Sequence, residues 1–299
     1  MKNKKIEALL LIIRPANVIT SIADVLAGIA IVGYLNYSGV DNTLFLHGIL
    51  LSIATACLYA GGIIFNDVFD LEADKINRPE RVIPSGKLSL KEAKIAGIVL
   101  FFIAIMATFL VSLFSTLVAL GVVVCALSYD KYAKHNTFLG PINMGMCRGL
   151  NLILGMSIIT SLDAKYYLIS LLPILFVSAI TLTAQKETKG KNKLAIGLAM
   201  LLDLSIVVGF LFIAQNFNFS LQKAGVFLAF WYGVNVVAKI NAIVKNQPKL
   251  IMKAVKIAVL SLIPLNASYV AGFSSVTNAL LVLCLLPISL YLSKKFPVT

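Results

Sequence analysis

The sequence predicts an all-α protein, a polytopic bundle of transmembrane helices. Of its 299 residues, 59% are hydrophobic and only 13% are charged, and the mean hydropathy is +0.93. A soluble domain carries about 25% charged residues. The apolar residues fall in runs of about 20, which is the length that an α-helix needs to cross a bilayer. Because no linker rich in Pro, Gly or Ser interrupts these runs, we expect a single domain over residues 1–299.

Ten apolar segments follow one another along the chain. They span residues 17–35, 45–66, 92–113, 115–129, 141–160, 165–184, 194–214, 221–243, 252–271 and 276–293. The connections alternate in charge, and all of the 26 Lys and Arg residues except Lys165 and Lys223 lie nearer one side. This bias marks that side as cytoplasmic, and ten spans place both termini there. Lys253 and Lys256 intrude on the ninth segment, so we expect that helix to be short, tilted or interfacial.

Composition also argues against several classes of protein. Basic cytoplasmic loops explain the net charge of +13, so no nucleic-acid partner is expected. The four cysteines lie in apolar segments at irregular spacing and are interpreted as core residues, not as disulfides or a zinc site. The basic start of the chain is not followed by a small-residue cleavage site, so no signal peptide is expected.

An acidic motif follows directly on the second apolar segment. Asp67, Asp70 and Asp74 are spaced at i, i+3 and i+7, so a helix that continued through them would place them on one face, with Glu72 pointing the opposite way. Such carboxylates suit Mg²⁺, which binds one or two of them together with phosphate oxygens. The alternative to a metal site is that these aspartates are ordinary surface acids on a solvated extension of the helix. Because Asn66 and Asp67 adjoin the apolar run, a partner cation is the favoured interpretation.

Cationic side chains that suit phosphate occur at three places. Arg78 and Arg81 follow the acidic motif, Lys131 and Lys134 follow the fourth segment, and Arg148 lies within the fifth. For the two lysines, a purely topological role is an equal alternative. A guanidinium inside a transmembrane helix must face a cavity or a partner, so contact of Arg148 with phosphate and a structural role both stay open.

Three further intramembrane polar residues need partners. Asn17 and Asp24 are seven residues apart in the first segment and therefore share a face. Lining of a cavity and hydrogen bonding between helices are both open for them. Asp203 is an isolated acid in the seventh segment, and its pairing with Arg148 or with a backbone donor is a hypothesis.

The motif Asn66-Asp67-x-x-Asp70-x-x-x-Asp74, with its following arginines and Pro-Ser-Gly turn, resembles the first aspartate-rich motif of the UbiA-type intramembrane prenyltransferases. Arg14-Pro15-x-Asn17 resembles the opening of that family, and Tyr129 with Lys134 resembles its tyrosine and basic residue after the fourth helix. Residues 140–151 are most similar to the EboC-like subgroup. Residues 77–81 are similar to archaeal enzymes that geranylgeranylate glycerol phosphate ethers.

The resemblance implies an all-helical fold, usually of nine helices, around a central cavity, so we expect nine to ten. It implies Mg²⁺-dependent transfer of a prenyl group from its diphosphate to a lipophilic or aromatic acceptor, at a site facing the cytoplasm of a prokaryotic plasma membrane. Asp67, Asp70 and Asp74 would hold the metal and act in catalysis. By the resemblance, Arg81, Lys131 and Lys134 would bind the diphosphate and Asn66 would support the metal ligands. From their charge and position we also expect Arg78 and Arg148 to contact the diphosphate, and Asn17, Asn66 and Tyr129 to line the cavity.

One departure from the family lies between the sixth and seventh segments, where a second aspartate motif is expected. Residues 185–193 contain a single acid, Glu187, among four lysines. They cannot form a second carboxylate metal site, so whether one or two metals bind stays open. The lysines either supply cations to phosphate or are solvated. A non-catalytic protein that binds or transports prenyl lipids is therefore the alternative function. A CDP-alcohol phosphotransferase is disfavoured, because its Asp-Gly and Ala-Arg elements do not surround the cluster.

Overall fold

A computed structural model describes residues 2–36, 42–159, 161–185 and 192–296, and every regular element in those ranges is helical, as predicted. The α-helices are α1 (Lys2–Ile13), α2 (Pro15–Ile31), α3 (Asn42–Phe69), α4 (Leu71–Asn77), α5 (Leu90–Phe109), α6 (Leu113–Lys131), α7 (Leu139–Met156), α8 (Leu171–Ala184), α9 (Lys193–Asn216), α10 (Leu221–Lys245), α11 (Pro248–Leu260), α12 (Leu262–Phe273), α13 (Val276–Leu283) and α14 (Leu285–Lys295). Short 3₁₀ helices lie at Tyr34–Asn36, Ala133–His135 and Ala164–Ser170.

The number of membrane spans in the described part of the chain is eight or nine, against the nine to ten predicted. Within the described ranges, eight helices are long and apolar enough to cross a membrane, and a ninth span results if α1 and α2, which meet at 51°, are counted as one. The predicted segment 141–160 is helical as α7 but is not one of these spans. The reason is its polar content, which includes Arg148 and Asn151.

The ninth predicted segment, residues 252–271, is part of a longer apolar stretch. It belongs to an apolar stretch of 26 residues from Pro248 to Phe273 that is long enough to cross a membrane, although it is built from two short helices, α11 and α12. One of its two intruding lysines has a partner inside the bundle, because Lys256 Nζ donates to the Ser293 carbonyl oxygen at 3.1 Å. A lysine that is hydrogen bonded to a neighbouring helix does not need to shorten the span that carries it.

The charge pattern still predicts that both termini lie in the cytoplasm. A reporter fused at residue 299 and active only in the cytoplasm should therefore give a signal. The physical reason is the concentration of Lys and Arg on one side of the membrane. A fusion at residue 163, in a link predicted to lie outside, is the matched control and should stay silent. A silent fusion at residue 299 would contradict ten crossings and favour nine.

Two local features of the backbone position the acidic motif. Arg14 has a left-handed conformation (φ 49°) and Pro15 occupies the first turn of α2, where its fixed φ and missing N–H suit a helix start. Helix α3 ends at Phe69 and α4 begins at Leu71, so the continuous helix that the spacing predicted is interrupted at Asp70. Hydrogen bonding crosses the interruption, since Asp74 N donates to Asp70 O at 2.8 Å. The aspartates therefore stay close together in spite of the break.

Two glycines bring α2 and α7 into backbone contact. A Cβ added at Gly28 would lie 2.3 Å from Leu152 O, and one added at Gly155 would lie 2.2 Å from Val25 O. Close approach through small residues is a usual way for membrane helices to pack. This contact sets the distance between the polar residues that the two helices carry on neighbouring turns.

Candidate functional site

A cavity of about 230 Å³ lies between α2, α3, α6 and α7. The three residues predicted to line it, Asn17, Asn66 and Tyr129, are all in its wall. Arg14 lies in the wall as well, and apolar side chains such as Leu58 and Val122 supply much of the remaining surface. The cavity thus combines apolar walls with polar side chains where α2 begins, where α3 and α6 end, and on α7.

Asp67 and Asp74 share one arginine beside this cavity. Asp67 Oδ1 accepts hydrogen bonds from Arg14 Nη2 at 2.7 Å and from Arg81 Nη1 at 3.3 Å. The same Arg81 nitrogen donates to Asp74 Oδ2 at 2.8 Å. Both carboxylates are buried. A single cationic nitrogen therefore lies between two carboxylates that are seven residues apart in sequence.

Asp70 has a different partner. It accepts a hydrogen bond from Lys134, which the short 3₁₀ helix after α6 carries. Glu72 points away, with 82% of its side chain exposed and Lys75 as its partner at 2.7 Å. The prediction that Glu72 lies opposite the three aspartates is therefore confirmed. We call the charge-balanced group of three acids and three cations the aspartate cluster: Asp67, Asp70, Asp74, Arg14, Arg81 and Lys134.

The other two predicted phosphate ligands outside the membrane lie at the edge of this group. Arg78 is half-buried at the end of α4, and its backbone N–H donates to the Asp74 carbonyl oxygen at 2.8 Å. Lys131 is exposed, with its Nζ 5.0 Å from the ring centroid of Tyr132. Contact of either residue with a diphosphate stays a prediction.

Arg148 lines the cavity, but its guanidinium is engaged by protein groups. Nη1 donates to Asp24 Oδ2 at 2.6 Å, Nη2 donates to Thr20 Oγ1 at 2.8 Å, and the group lies 4.6 Å from the ring centroid of Tyr59. Asn151 and Asn266 also donate to the Asp24 carboxylate, at 2.9 and 2.6 Å. Arg148 therefore belongs to a buried network that joins α2, α7 and α12.

The hypothesis that Asp203 pairs with Arg148 is wrong. Asp203 Oδ2 accepts a hydrogen bond from Lys239 Nζ at 2.5 Å, and both side chains are buried between α9 and α10. Arg148 is already neutralised by Asp24, which the packing of α2 against α7 places next to it. Asp24 with Arg148 and Asp203 with Lys239 thus form two buried pairs, each between adjacent helices.

Sequence reasoning missed Asp130. This acid is buried in the cavity wall at the end of α6, where its Oδ1 accepts a hydrogen bond from Asn66 Nδ2 at 2.7 Å. A signal was present, because Asp130 is the only acid between Glu92 and Asp163 and directly follows Tyr129. It brings a fourth carboxylate close to the aspartate cluster.

The predicted metal ligands fit Mg²⁺ by chemistry, although not as a ready-made triad. The described residues contain no group of three or more His, Cys, Asp or Glu side chains arranged to hold a metal ion. Asp67 and Asp74 converge on one cationic nitrogen, whereas Asp70 is bound to Lys134. Buried carboxylates need compensating charge, and the neighbouring arginines and lysine supply it. The oxygen ligands are those that Mg²⁺ prefers.

The predicted basic loop is described only at its ends. Gln185 Nε2 donates to the Thr137 carbonyl oxygen at 2.9 Å, which ties the end of α8 to the loop before α7. Asn192 Nδ2 donates to the Thr183 carbonyl oxygen at 3.0 Å. Residues 186–191, which include Lys186, Glu187 and Lys189, lie outside the described residues. Their role in replacing a second metal motif stays a prediction.

The chain is similar to known proteins over most of its length. The family model for the UbiA prenyltransferase family matches residues 25–297. The chain is 32% identical over 137 residues to digeranylgeranylglyceryl phosphate synthase of Sulfurisphaera tokodaii, a match that covers 46% of this chain and about half, 49%, of that protein. It is 28% identical over 233 residues to the protein of that name from Methanothermobacter thermautotrophicus, covering 76% of this chain and 79% of the relative.

Solved structures share the fold. A UbiA homolog from Aeropyrum pernix K1 superposes with a TM-score of 0.68 at 18% identity, covering 84% of this chain and 96% of that one. A UbiA homolog from Archaeoglobus fulgidus bound to GPP and Mg²⁺ superposes with a TM-score of 0.61 at 11% identity, covering 88% and 99%. The narrower EboC-like assignment stays a prediction. Because the family pattern extends over residues 25–297 and the helical fold is shared, the chain belongs to the UbiA prenyltransferase family.

Proposed function

We propose that this protein transfers a prenyl group from a prenyl diphosphate to a lipophilic or aromatic acceptor within the membrane, in a Mg²⁺-dependent reaction. The observation that carries the proposal is the aspartate cluster, which shares Arg14 with a cavity that has apolar walls. The three cations can bind a diphosphate, and the three carboxylates can bind the Mg²⁺ that accompanies it. The relatives named as digeranylgeranylglyceryl phosphate synthases and the neighbour solved with GPP and Mg²⁺ support the same substrate class.

The charge balance of the cluster suggests how the substrate is bound. Arg14, Arg81 and Lys134 now contact carboxylate oxygens, and phosphate oxygens of a diphosphate are equivalent partners for them. Asp67 and Asp74 would hold Mg²⁺. Asp70 would join them as a ligand after Lys134 leaves it to contact the phosphate. When bound, that ion supplies positive charge against the negative charge on the leaving diphosphate.

In the reaction, the allylic carbon–oxygen bond to the diphosphate breaks, a bond to the acceptor forms, and the acceptor loses a proton. Once they contact the diphosphate, the cations of the cluster would stabilise the negative charge that develops on its departing oxygen. The apolar wall, with Tyr59 and Tyr129, excludes water from the allylic cation, and the ring faces attract positive charge. We assign Asp130 the role of positioning Asn66 beside Asp67.

Incubation with labelled substrate tests the proposal. Purified protein in nanodiscs is given radiolabelled C10, C15 or C20 prenyl diphosphate and a total lipid extract, with Mg²⁺ or with EDTA. A geranylgeranylglyceryl phosphate arm tests the acceptor class of the named relatives. A new labelled lipid that forms only with protein and Mg²⁺ supports the enzyme. Retention of unchanged label without any product would instead support the alternative, a binding or transport component.

The role of Asp130 leads to a separate prediction. Asp130→Ala should lower the turnover number of prenyl transfer by about 10- to 100-fold, the usual cost of removing a group that orients a ligand-bearing side chain. Asp130→Asn keeps an oxygen that can accept from Asn66 and should cost less. Asp163→Ala, which removes an exposed acid before α8, is the matched control. If steady-state kinetics give Asp130→Ala the same turnover number as the wild type, Asp130 has no role in the site.

A further inference from the structure

A second concave region lies between α10 and α11. It has a volume of about 530 Å³. Its α10 side is formed by Gly233, Val234, Val237, Ala238, Asn241 and Lys245, and its α11 side by Leu250, Lys253, Ala254 and Ile257. The residues on each helix follow helical spacing, so each set forms one stripe. We call this region the α10–α11 groove.

The groove is apolar at one end and basic at the other. Helices α10 and α11 form a hairpin whose turn contains Asn246, so Lys245 and Lys253 lie on the turn side and Gly233 lies farthest from the turn. Both lysines are exposed. From Gly233 to Lys245 the α10 stripe is about 18 Å long at the helical rise per residue. That length is close to one leaflet of a hydrocarbon core of about 30 Å.

No acid of the neighbouring sequence neutralises this basic end. The chain has no Asp or Glu after Asp203, and the one lysine on α10 that has an acidic partner is Lys239, which points into the bundle. Lys249, in the first turn of α11, adds a further exposed cation near the same end. Among the described residues no acid forms an ion pair with Lys245 or Lys253, and cations beside an apolar channel favour an anionic group that is joined to a hydrocarbon chain.

We propose that the α10–α11 groove binds an anionic phospholipid of the surrounding bilayer. Lys245 and Lys253 contact the phosphate, Asn241 donates to or accepts from the headgroup, and an acyl or isoprenoid chain lies along Val237, Val234 and Gly233. The turn between the helices falls in the loop that the charge pattern predicts to be cytoplasmic, and the cytoplasmic leaflet is the anionic one. This site is separate from the aspartate cluster and does not depend on the reaction proposed above.

Gly233 offers a way to close the groove without changing charge. A Cβ added there would meet no atom within 4 Å, so a larger side chain fits the protein and fills the space that the lipid chain would occupy. Gly225, two turns earlier on α10, is equally open and is not part of the groove, which makes Gly225→Leu a matched control.

Native mass spectrometry of the detergent-solubilised full chain tests the proposal. The protein is titrated with phosphatidylglycerol or with phosphatidylcholine of the same acyl chains, in the presence or absence of free glycerol phosphate. One lysine near an anionic lipid contributes about fivefold in affinity. The wild type should therefore bind phosphatidylglycerol at least about tenfold more tightly than phosphatidylcholine, and free glycerol phosphate should not compete.

Two pairs of variants separate the site from general surface charge. Lys245→Gln with Lys253→Gln should abolish the preference for phosphatidylglycerol, whereas Lys91→Gln with Lys94→Gln, exposed lysines at the start of α5, should retain it. Gly233→Leu should weaken binding and Gly225→Leu should not. Equal affinity of the wild type for both lipids, or an equal loss in the two lysine pairs, would overturn the proposal. Competition by free glycerol phosphate would show a simple phosphate site and would also overturn it.

Discussion

Asp67→Asn is expected to reduce prenyl transfer at least about 100-fold, the cost of removing one preorganised electrostatic group from a transition state. Asp67 is the acid with the most cationic neighbours in the cluster, since it accepts from both Arg14 and Arg81. Its loss would remove a carboxylate proposed to hold Mg²⁺ and leave Arg14 without its acidic partner. Both the initial rate and Mn²⁺ binding, followed by electron paramagnetic resonance, should fall.

Glu72→Gln is the matched control for Asp67→Asn. It removes the same charge five residues away, from a side chain that is largely exposed and faces away from the cluster. This variant should keep wild-type activity and metal affinity. Membrane insertion and the monodispersity of both purified proteins should be unchanged. Full activity of Asp67→Asn in a folded protein would refute the assignment of the aspartate cluster as the site.

Arg148→Met is expected to lower the free energy of unfolding by about 3–5 kcal/mol, because it leaves the buried carboxylate of Asp24 without its cation. Arg148→Lys should recover little of this loss. The native guanidinium donates from two nitrogens to two acceptors, Asp24 and Thr20, and an ammonium group cannot reproduce that geometry. Unfolding in mixed micelles provides the measurement.

Two comparisons separate a structural role of Arg148 from a role in binding phosphate. Breaking the exposed pair of Lys165 and Asp163 by Lys165→Met should leave the free energy of unfolding close to that of the wild type, because solvent screens this pair. Combining Arg148→Met with Asp24→Leu should cost less than the sum of the two single changes, because no unpaired charge remains. An Arg148→Met protein of wild-type stability that binds prenyl diphosphate poorly would show instead that the guanidinium serves the substrate.

Much of the architecture followed from properties that are local in sequence. Hydropathy over runs of about 20 residues predicted the helical bundle. The count of ten failed at α7, which residues such as Arg148 make too polar to qualify as a span, and α2 qualifies only together with α1. The i, i+3, i+7 spacing correctly separated Asp67, Asp70 and Asp74 from Glu72. Helical periodicity acts over one or two turns, so it is readable without knowledge of any other helix.

The partners of these charges were decided by the tertiary structure. Asp24 meets Arg148 across 124 residues and Asn266 across 242, and Asn66 meets Asp130 across 64. Periodicity shows that a buried charge needs a partner, but it does not show which helix lies beside it. That neighbour is chosen by packing, as where Gly28 and Gly155 let the backbones of α2 and α7 touch. Coulombic and hydrogen-bond energies depend on distances of a few ångströms, and only the packed bundle determines those distances.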